Sequence, residues 1–254
     1  TVEFIRRERK RAFLVFGISL LSLVGAYVQD SGYELKSDLY PLNVCYNVGL
    51  AFQRTALTQD YHRTSKDFTF HARPTHPEGK REVYVMVIGE TSRALNWQLY
   101  GYERETTPLL SRQTGLIAFP KVLTESNTTH KSVPMLMSDA TACNYDSIYH
   151  QKGIITAFKE AGFRTAFFSN QRYNHSFIDF FGMEADTYDF IKEDSLDSAY
   201  NPSDDELLAL VAKELSKGNQ KQFIVLHTYG SHFNYRERYP SEDAFCLPDY
   251  PVEA

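Results

Sequence analysis

The chain has 254 residues and a mass of 29.2 kDa, with 43% apolar and 23% charged residues and a formal net charge of −5. That composition excludes a disordered, collagenous or disulfide-framework chain, and a mean hydropathy of −0.40 excludes a polytopic membrane protein. Charge is unevenly placed, with +2 on residues 1–30 and −7 on the remainder, which argues against a general nucleic-acid binder.

Arg6, Arg7, Arg9, Lys10 and Arg11 precede an uncharged stretch over residues 12–28. Those 17 residues stand at the lower limit for a membrane-spanning helix, since ~20 residues cross a hydrocarbon core of ~30 Å. The spacing predicts one transmembrane helix within residues 1–30, with the basic cluster cytoplasmic and everything after Asp30 exported. A cleaved signal peptide and a buried core helix are the alternatives. The run is long for a signal-peptide centre, and Gly25-Ala26-Tyr27 is a poor cleavage site.

Residues 31–80 read as a connector. Residues 38–54 (DLYPLNVCYNVGLAFQR) are apolar and aromatic, with Pro41 and Gly49 arguing against one long regular helix. They suit either the membrane surface or an ordinary domain edge. Residues 55–80 turn polar, and Pro74, Pro77 and Gly79 mark a linker.

Residues 81–254 alternate strand and helix patterns. Residues 83–88 (VYVMVI) are a continuous apolar run, the signature of a parallel-sheet strand buried on both faces. Residues 116–123 are a second strand candidate, and 165–168 (TAFF) follow a helical pattern over 154–161 that Gly162 ends. Ser203-Asp204-Asp205-Glu206 is a capping-box sequence opening a helix to about Lys217, and 223–226 (FIVL) form the next strand. The rhythm predicts an α/β domain with a mainly parallel sheet flanked by helices, its ligands gathered at the C-terminal ends of the strands.

Three polar clusters follow these runs. Gly89-Glu90-Thr91-Ser92-Arg93 directly succeeds the first strand, where Glu90 suits either a cation site or a helix cap. Residues 126–129 (SNTT) precede a helix whose free N–H groups and dipole favour a phosphate or an incipient alkoxide, or the threonines are simple caps. His227 and His232 share a glycine-containing loop after the last strand, a pair open to metal or phosphate contact and equally common without either.

In chain order, GETSR (89–93), YGYERETTPLL (100–110), T-x-x-S-V-P (129–134), H-T-x-G-S-H (227–232) and RYP (238–240) resemble the phosphoethanolamine transferases of the alkaline phosphatase and sulfatase superfamily. The family includes enzymes acting on lipid A, core oligosaccharide or periplasmic glucans, and the mobile colistin-resistance enzymes. The resemblance implies a sulfatase-like catalytic domain over residues 81–254 facing the periplasm from the inner membrane of a Gram-negative bacterium. It implies Zn2+ as cofactor, with Glu90 and Thr129 among its ligands and Thr129 as the nucleophile. It makes His232 a zinc-proximal histidine and His227 a second histidine near the substrate phosphate, both able to donate hydrogen bonds to phosphoryl oxygens or to assist the leaving group. The implied reaction takes phosphoethanolamine from phosphatidylethanolamine onto Thr129, releases diacylglycerol, and passes the group to a lipid A, core oligosaccharide or glucan acceptor. A phosphoglycerol transferase or phosphodiesterase with the same nucleophile is the related alternative.

The same resemblance marks departures. The family completes its zinc site with an Asp-His pair after a later strand, which this sequence does not carry, so the expectation is an incomplete site in a fragment or an inactive truncated relative. Residues 168–175 (FSNQRYNH) look more like the core-sugar and glucan branch than the colistin-resistance branch, with Arg172 and His175 as candidate cations for the substrate phosphate. Cys143 and Cys246 are candidates for one disulfide in an exported domain, leaving Cys45 apart. Cys246-Leu247-Pro248 begins a sulfatase nucleophile motif, but Tyr250 replaces its arginine, which argues against sulfatase chemistry.

Overall fold

The computed structural model describes residues 2–29, 35–76, 79–192 and 201–244. Contacts divide the chain into two units, residues 1–60 and 61–254, so the division falls inside the stretch read as connector.

The first unit is helical. α1 spans Val2–Gln29, α2 spans Leu35–Asp38 and α3 spans Leu42–Gln59. Gly49 lies within α3 rather than ending it, because one glycine costs only about 1 kcal/mol against the hydrogen bonds of a helix of 18 residues. α1 exposes Phe13, Leu14, Val15, Phe16 and Leu21. Among the described residues no helix is long and apolar enough to cross a membrane, contrary to the spanning helix expected from residues 12–28. Two glycines and two serines dilute that run, and basic residues occupy the preceding turns.

The second unit opens with α4 (Tyr61–Thr64), whose Tyr61 is buried against Phe177, Phe180 and Phe181. Its four strands are β1 (Glu82–Ile88), β2 (Arg164–Ser169), β3 (Thr187–Phe190) and β4 (Lys221–His227). All pair in parallel in the order β1-β4-β2-β3. Between β1 and β2 lie the short α5 (Pro108–Ser111), α6 (Thr129–Met137) and α7 (Ile154–Glu160). α8 (Phe177–Gly182) connects β2 to β3, and α9 (Glu206–Leu215) lies between β3 and β4. The predicted α/β class, parallel sheet and flanking helices are all present.

The core follows from the strand periodicity. Ala166 and Phe168 of β2 and Ile224 and Leu226 of β4 pack on Leu207 of α9. Phe167 and Val225 point to the opposite face and are fully buried. Burial of a side chain of this size stabilises by about 1.5–3 kcal/mol. β1 departs from the sequence reading: as an edge strand it pairs only with β4, and Val83, Val85 and Val87 remain exposed. Residues 116–123 form no strand, since among the described residues no ladder partner meets them, and Ile117, Val122 and Leu123 stay exposed. The capping box before α9 is half made: Ser203 N–H donates to Glu206 Oε1 at 3.2 Å, while the cap residue Asp205 makes no side-chain cap bond.

Candidate functional site

Strand order builds the site. β4 sits beside both β1 and β2, so three loops converge at the C-terminal edge of the sheet: residues 89–93, 170–175 and 228–232. Backbone bonds tie them together. Asn170 N–H donates to His227 O at 2.9 Å, Thr228 N–H to Ile88 O at 3.1 Å, and Ser231 N–H to Glu90 O at 3.2 Å.

Glu90 is buried, and Thr129 brings its hydroxyl against both carboxylate oxygens, at 3.0 Å from Oε1 and 2.9 Å from Oε2. A second hydroxyl, from Thr91, donates to Oε1 at 2.7 Å. Thr91 holds φ +50°, strained for a β-branched residue, so its hydroxyl bond is made at a backbone cost. Thr129 is the first residue of α6, where unpaired N–H groups and the helix dipole favour negative charge. α6 is fixed by burial of Val133, Pro134 and Met137 and packs on α8.

These groups line a cavity of about 420 Å³ that also meets Arg172, His227, His232, Gln171 and Asp179. His227 is buried, with Nδ1 3.4 Å from Ser169 Oγ and Nε2 without a partner among the described residues. Burial pushes its imidazole pKa down to about 4, against the opposing pull of Glu90 and Asp204, so the ring is neutral at pH 7. His232 stacks on Tyr229 at 4.7 Å, and its Nδ1 lies 2.5 Å from Phe233 O. Of the residues singled out from sequence, the fold brings Glu90, Thr129, Arg172, His227 and His232 to one cavity. His175 does not line it; the residue is exposed at φ +59°, its ring 4.5 Å from Tyr173.

Asp204 and Asp179 escaped the sequence reading. Asp204 Oδ1 accepts from Tyr229 N–H at 2.7 Å and Asn170 Nδ2 at 2.9 Å, and Oδ2 accepts from Gly230 N–H at 2.8 Å. The carboxylate read as part of a cap instead holds the loop that carries His232. Asp179 is buried beneath the 174–176 turn and accepts from Asn174 and Ser176 N–H groups, in a capping box with Ser176. Burial is the largest influence on it and raises its pKa. The Ser-x-x-Asp spacing at 176–179 could have flagged this cap; nothing local marks Asp204.

Zinc normally takes four ligands. Glu90 and Thr129 offer converging oxygen donors that suit part of such a site, but among the described residues no three His, Cys, Asp or Glu side chains form a metal cluster. Cys143 is free and exposed, as is Cys45, while Cys246 lies outside the described residues and with it the expected disulfide.

Comparison with known proteins agrees with this fold. The sequence model of the Sulfatase family matches residues 82–250. Phosphoethanolamine transferase CptA of Salmonella typhimurium is 29% identical over 163 residues, 61% of this chain and 28% of that protein. The zinc complex of the C-terminal periplasmic domain of EptC from Escherichia coli superposes with a TM-score of 0.61 at 25% identity, covering 68% of this chain and 52% of that one. The integral membrane lipooligosaccharide phosphoethanolamine transferase A from Neisseria meningitidis gives 0.68 at 26% identity, covering 91% of this chain and 43% of that one. The match to CptA thus spans less than a third of that protein's length. The chain, matched over residues 82–250, belongs to the sulfatase family, and the relatives it resembles include phosphoethanolamine transferases.

Proposed function

We propose that this chain supplies the nucleophile-bearing part of an enzyme that transfers phosphoethanolamine from phosphatidylethanolamine to a cell-envelope glycan or glycolipid. The observation that carries this reading is the Thr129 hydroxyl, held on both oxygens of buried Glu90 at the start of α6. The relatives' names support the transferred group, and the lipooligosaccharide of the Neisseria enzyme supports an acceptor of lipid A, core-sugar or glucan type.

Thr129 Oγ1 attacks the donor phosphorus and gives its proton to Glu90, while the bond from phosphorus to the diacylglycerol oxygen breaks and that oxygen takes a proton from solvent water; Glu90 returns its proton to Thr129 when the group moves on. A hydroxyl or phosphate oxygen of the acceptor then takes the group from Thr129. His227, neutral and buried, is among the residues lining the cavity; with Ser169 Oγ donating to Nδ1, its Nε2–H, unpartnered among the described residues, serves as a donor to a phosphoryl oxygen. His232 and Arg172 line the same cavity and complete its positive side. Glu90 and Thr129 would hold a zinc ion together with further ligands, and the ion would supply charge that lowers the cost of deprotonating the Thr129 hydroxyl. The zinc complex of the EptC domain supports zinc as the metal. In this reading α1 and its basic residues lie at the inner membrane and the second unit lies in the periplasm, consistent with the membrane and periplasmic relatives.

The test is mass spectrometry of the full-length protein after incubation with phosphatidylethanolamine. A phosphoethanolamine adduct on Thr129, absent from Thr129→Ala, is expected. Turnover that survives Thr129→Ala without an adduct overturns the reading.

A further inference from the structure

Thr129 alone does not fix the side chain of Glu90. Its one hydroxyl proton is shared between Oε1 at 3.0 Å and Oε2 at 2.9 Å. A contact that favours neither oxygen leaves the carboxylate free to turn about its last torsion, whose energy wells are broad. The hydroxyl of Thr91 removes that freedom. It donates to Oε1 at 2.7 Å, a charge-assisted bond shorter than either contact from Thr129. Among the described residues no other group donates to this carboxylate. Oε1 therefore carries a donor of its own, and Oε2 is left to Thr129. The Glu90 backbone is held separately, by Ser231 N–H on Glu90 O at 3.2 Å.

Thr91 makes this bond from an unfavourable backbone. Its φ is +50°, and among the described residues it is the one β-branched residue with positive φ; the other non-glycine cases are His71 and His175. Glycine takes this conformation at little cost but brings no hydroxyl. Packing does not offset the strain, because Thr91 is exposed. The loop beyond it is tied by a different hydroxyl, since Trp97 Nε1 donates to Ser92 Oγ at 2.7 Å. Thr91 also lines the catalytic cavity. A strained, exposed residue whose side chain ends on the carboxylate beside the nucleophile fits a functional constraint better than a structural one.

We propose that Thr91 is a positioning residue, whose hydroxyl holds Oε1 of Glu90 so that Oε2 is the oxygen that receives the Thr129 proton. As Thr129 attacks, its Oγ1–H bond breaks and an Oε2–H bond forms, while Thr91 keeps its own proton and its bond to Oε1. The effect on transfer rests on the transferase reading; the alignment of Glu90 and Thr129 does not.

The test compares Thr91→Gly, Thr91→Ala and Thr91→Ser by three measurements. The first is the rate at which the phosphoethanolamine adduct forms on Thr129 from phosphatidylethanolamine. The second is the urea midpoint, and the third is the NMR coupling that reports Thr129 χ1 in the 254-residue chain labelled at threonine methyl groups. Thr91→Gly should form the adduct about tenfold more slowly. Its midpoint should nonetheless equal or exceed that of wild type, because relief of strain offsets the lost bond. Thr91→Ala should be as slow, with a midpoint below that of Thr91→Gly, and Thr91→Ser should restore the rate. The coupling should show one Thr129 rotamer in wild type and Thr91→Ser, and averaged rotamers in the other two. Parallel losses of rate and midpoint in Thr91→Gly would make Thr91 a structural residue and overturn the proposal. A wild-type rate in Thr91→Ala, a Thr91→Ser variant as slow as Thr91→Ala, or an unaltered Thr129 coupling in both Thr91→Gly and Thr91→Ala overturns it too. If wild type forms no adduct, the transferase reading fails by itself, and the coupling decides the alignment.

Discussion

Gly230 is where the histidine loop presses on Glu90, and replacing it with alanine measures how tightly the two are locked. Its φ of +45° lies in the left-handed region, and an added Cβ would stand 2.9 Å from Glu90 O and 3.1 Å from Glu90 N. Both neighbours are backbone, so neither can rotate aside. The loop cannot swing away either without loosening the Asp204 bonds to Tyr229 and Gly230 N–H or the Ser231 bond to Glu90 O. Left-handed backbone costs alanine about 1 kcal/mol, and overpacking against fixed atoms adds ~1–3 kcal/mol. Gly230→Ala should therefore lose roughly 2–4 kcal/mol of unfolding free energy, a fall in Tm of roughly 5–10 °C. Gly218→Ala is the internal control, because Gly218 has φ +69° but nothing within 4 Å of its Cβ, and only the backbone cost of about 1 kcal/mol applies. Urea unfolding followed by far-UV circular dichroism gives both values. Losses for the two glycines that agree within about 0.5 kcal/mol would refute the close approach of the loop to the Glu90 backbone.

Asp204→Ala removes the acceptor for two backbone N–H groups and should cost about 2–4 kcal/mol, with Asp204→Asn recovering part, both read from urea midpoints. Glu184, whose carboxylate accepts from Tyr61, Gly153 and Thr156, has its pKa raised to about 7, chiefly by burial. The folded state holds that proton more tightly than the unfolded chain, so the stability it contributes is full below about pH 4.5 and lost as pH rises through about 7. Relative to wild type, Glu184→Gln should accordingly gain about 3 kcal/mol between pH 4.5 and pH 8, and a difference independent of pH contradicts the assignment. Zinc affinity, measured by equilibrium dialysis, should fall at least about tenfold in Glu90→Gln, whereas His175→Ala, outside the cavity, should leave it unchanged.

How much of this was legible in the chain depends on how local each signal is. Apolar runs at 165–168 and 223–226 announced β2 and β4 because a strand buried in a parallel sheet needs continuous apolar residues, while the run at 83–88 marked β1 although that strand lies at the sheet edge with its valines exposed. The run at 116–123 has the same local character and forms no strand, because a strand exists only where a ladder partner stands beside it. The spanning helix was overread for a similar reason: absence of charge over 17 residues is a weaker condition than sufficient length and apolarity.

By itself the sequence determined the α/β class and the order of the motifs, and through the resemblance those motifs carry it offered Glu90, Thr129, His227 and His232 as candidates. The tertiary structure alone decided that β4 lies between β1 and β2, which brings the loop at 228–232 against Glu90 although about 140 residues separate them. It also decided that Asp204 clamps that loop instead of capping α9, that Arg172 faces the cavity while His175 does not, and that Lys192 and Arg238 meet on one tyrosine ring. Periodicity and capping are set within a few residues of chain, whereas strand order and the choice of partner for a carboxylate are set by which surfaces the folded chain brings within hydrogen-bonding reach.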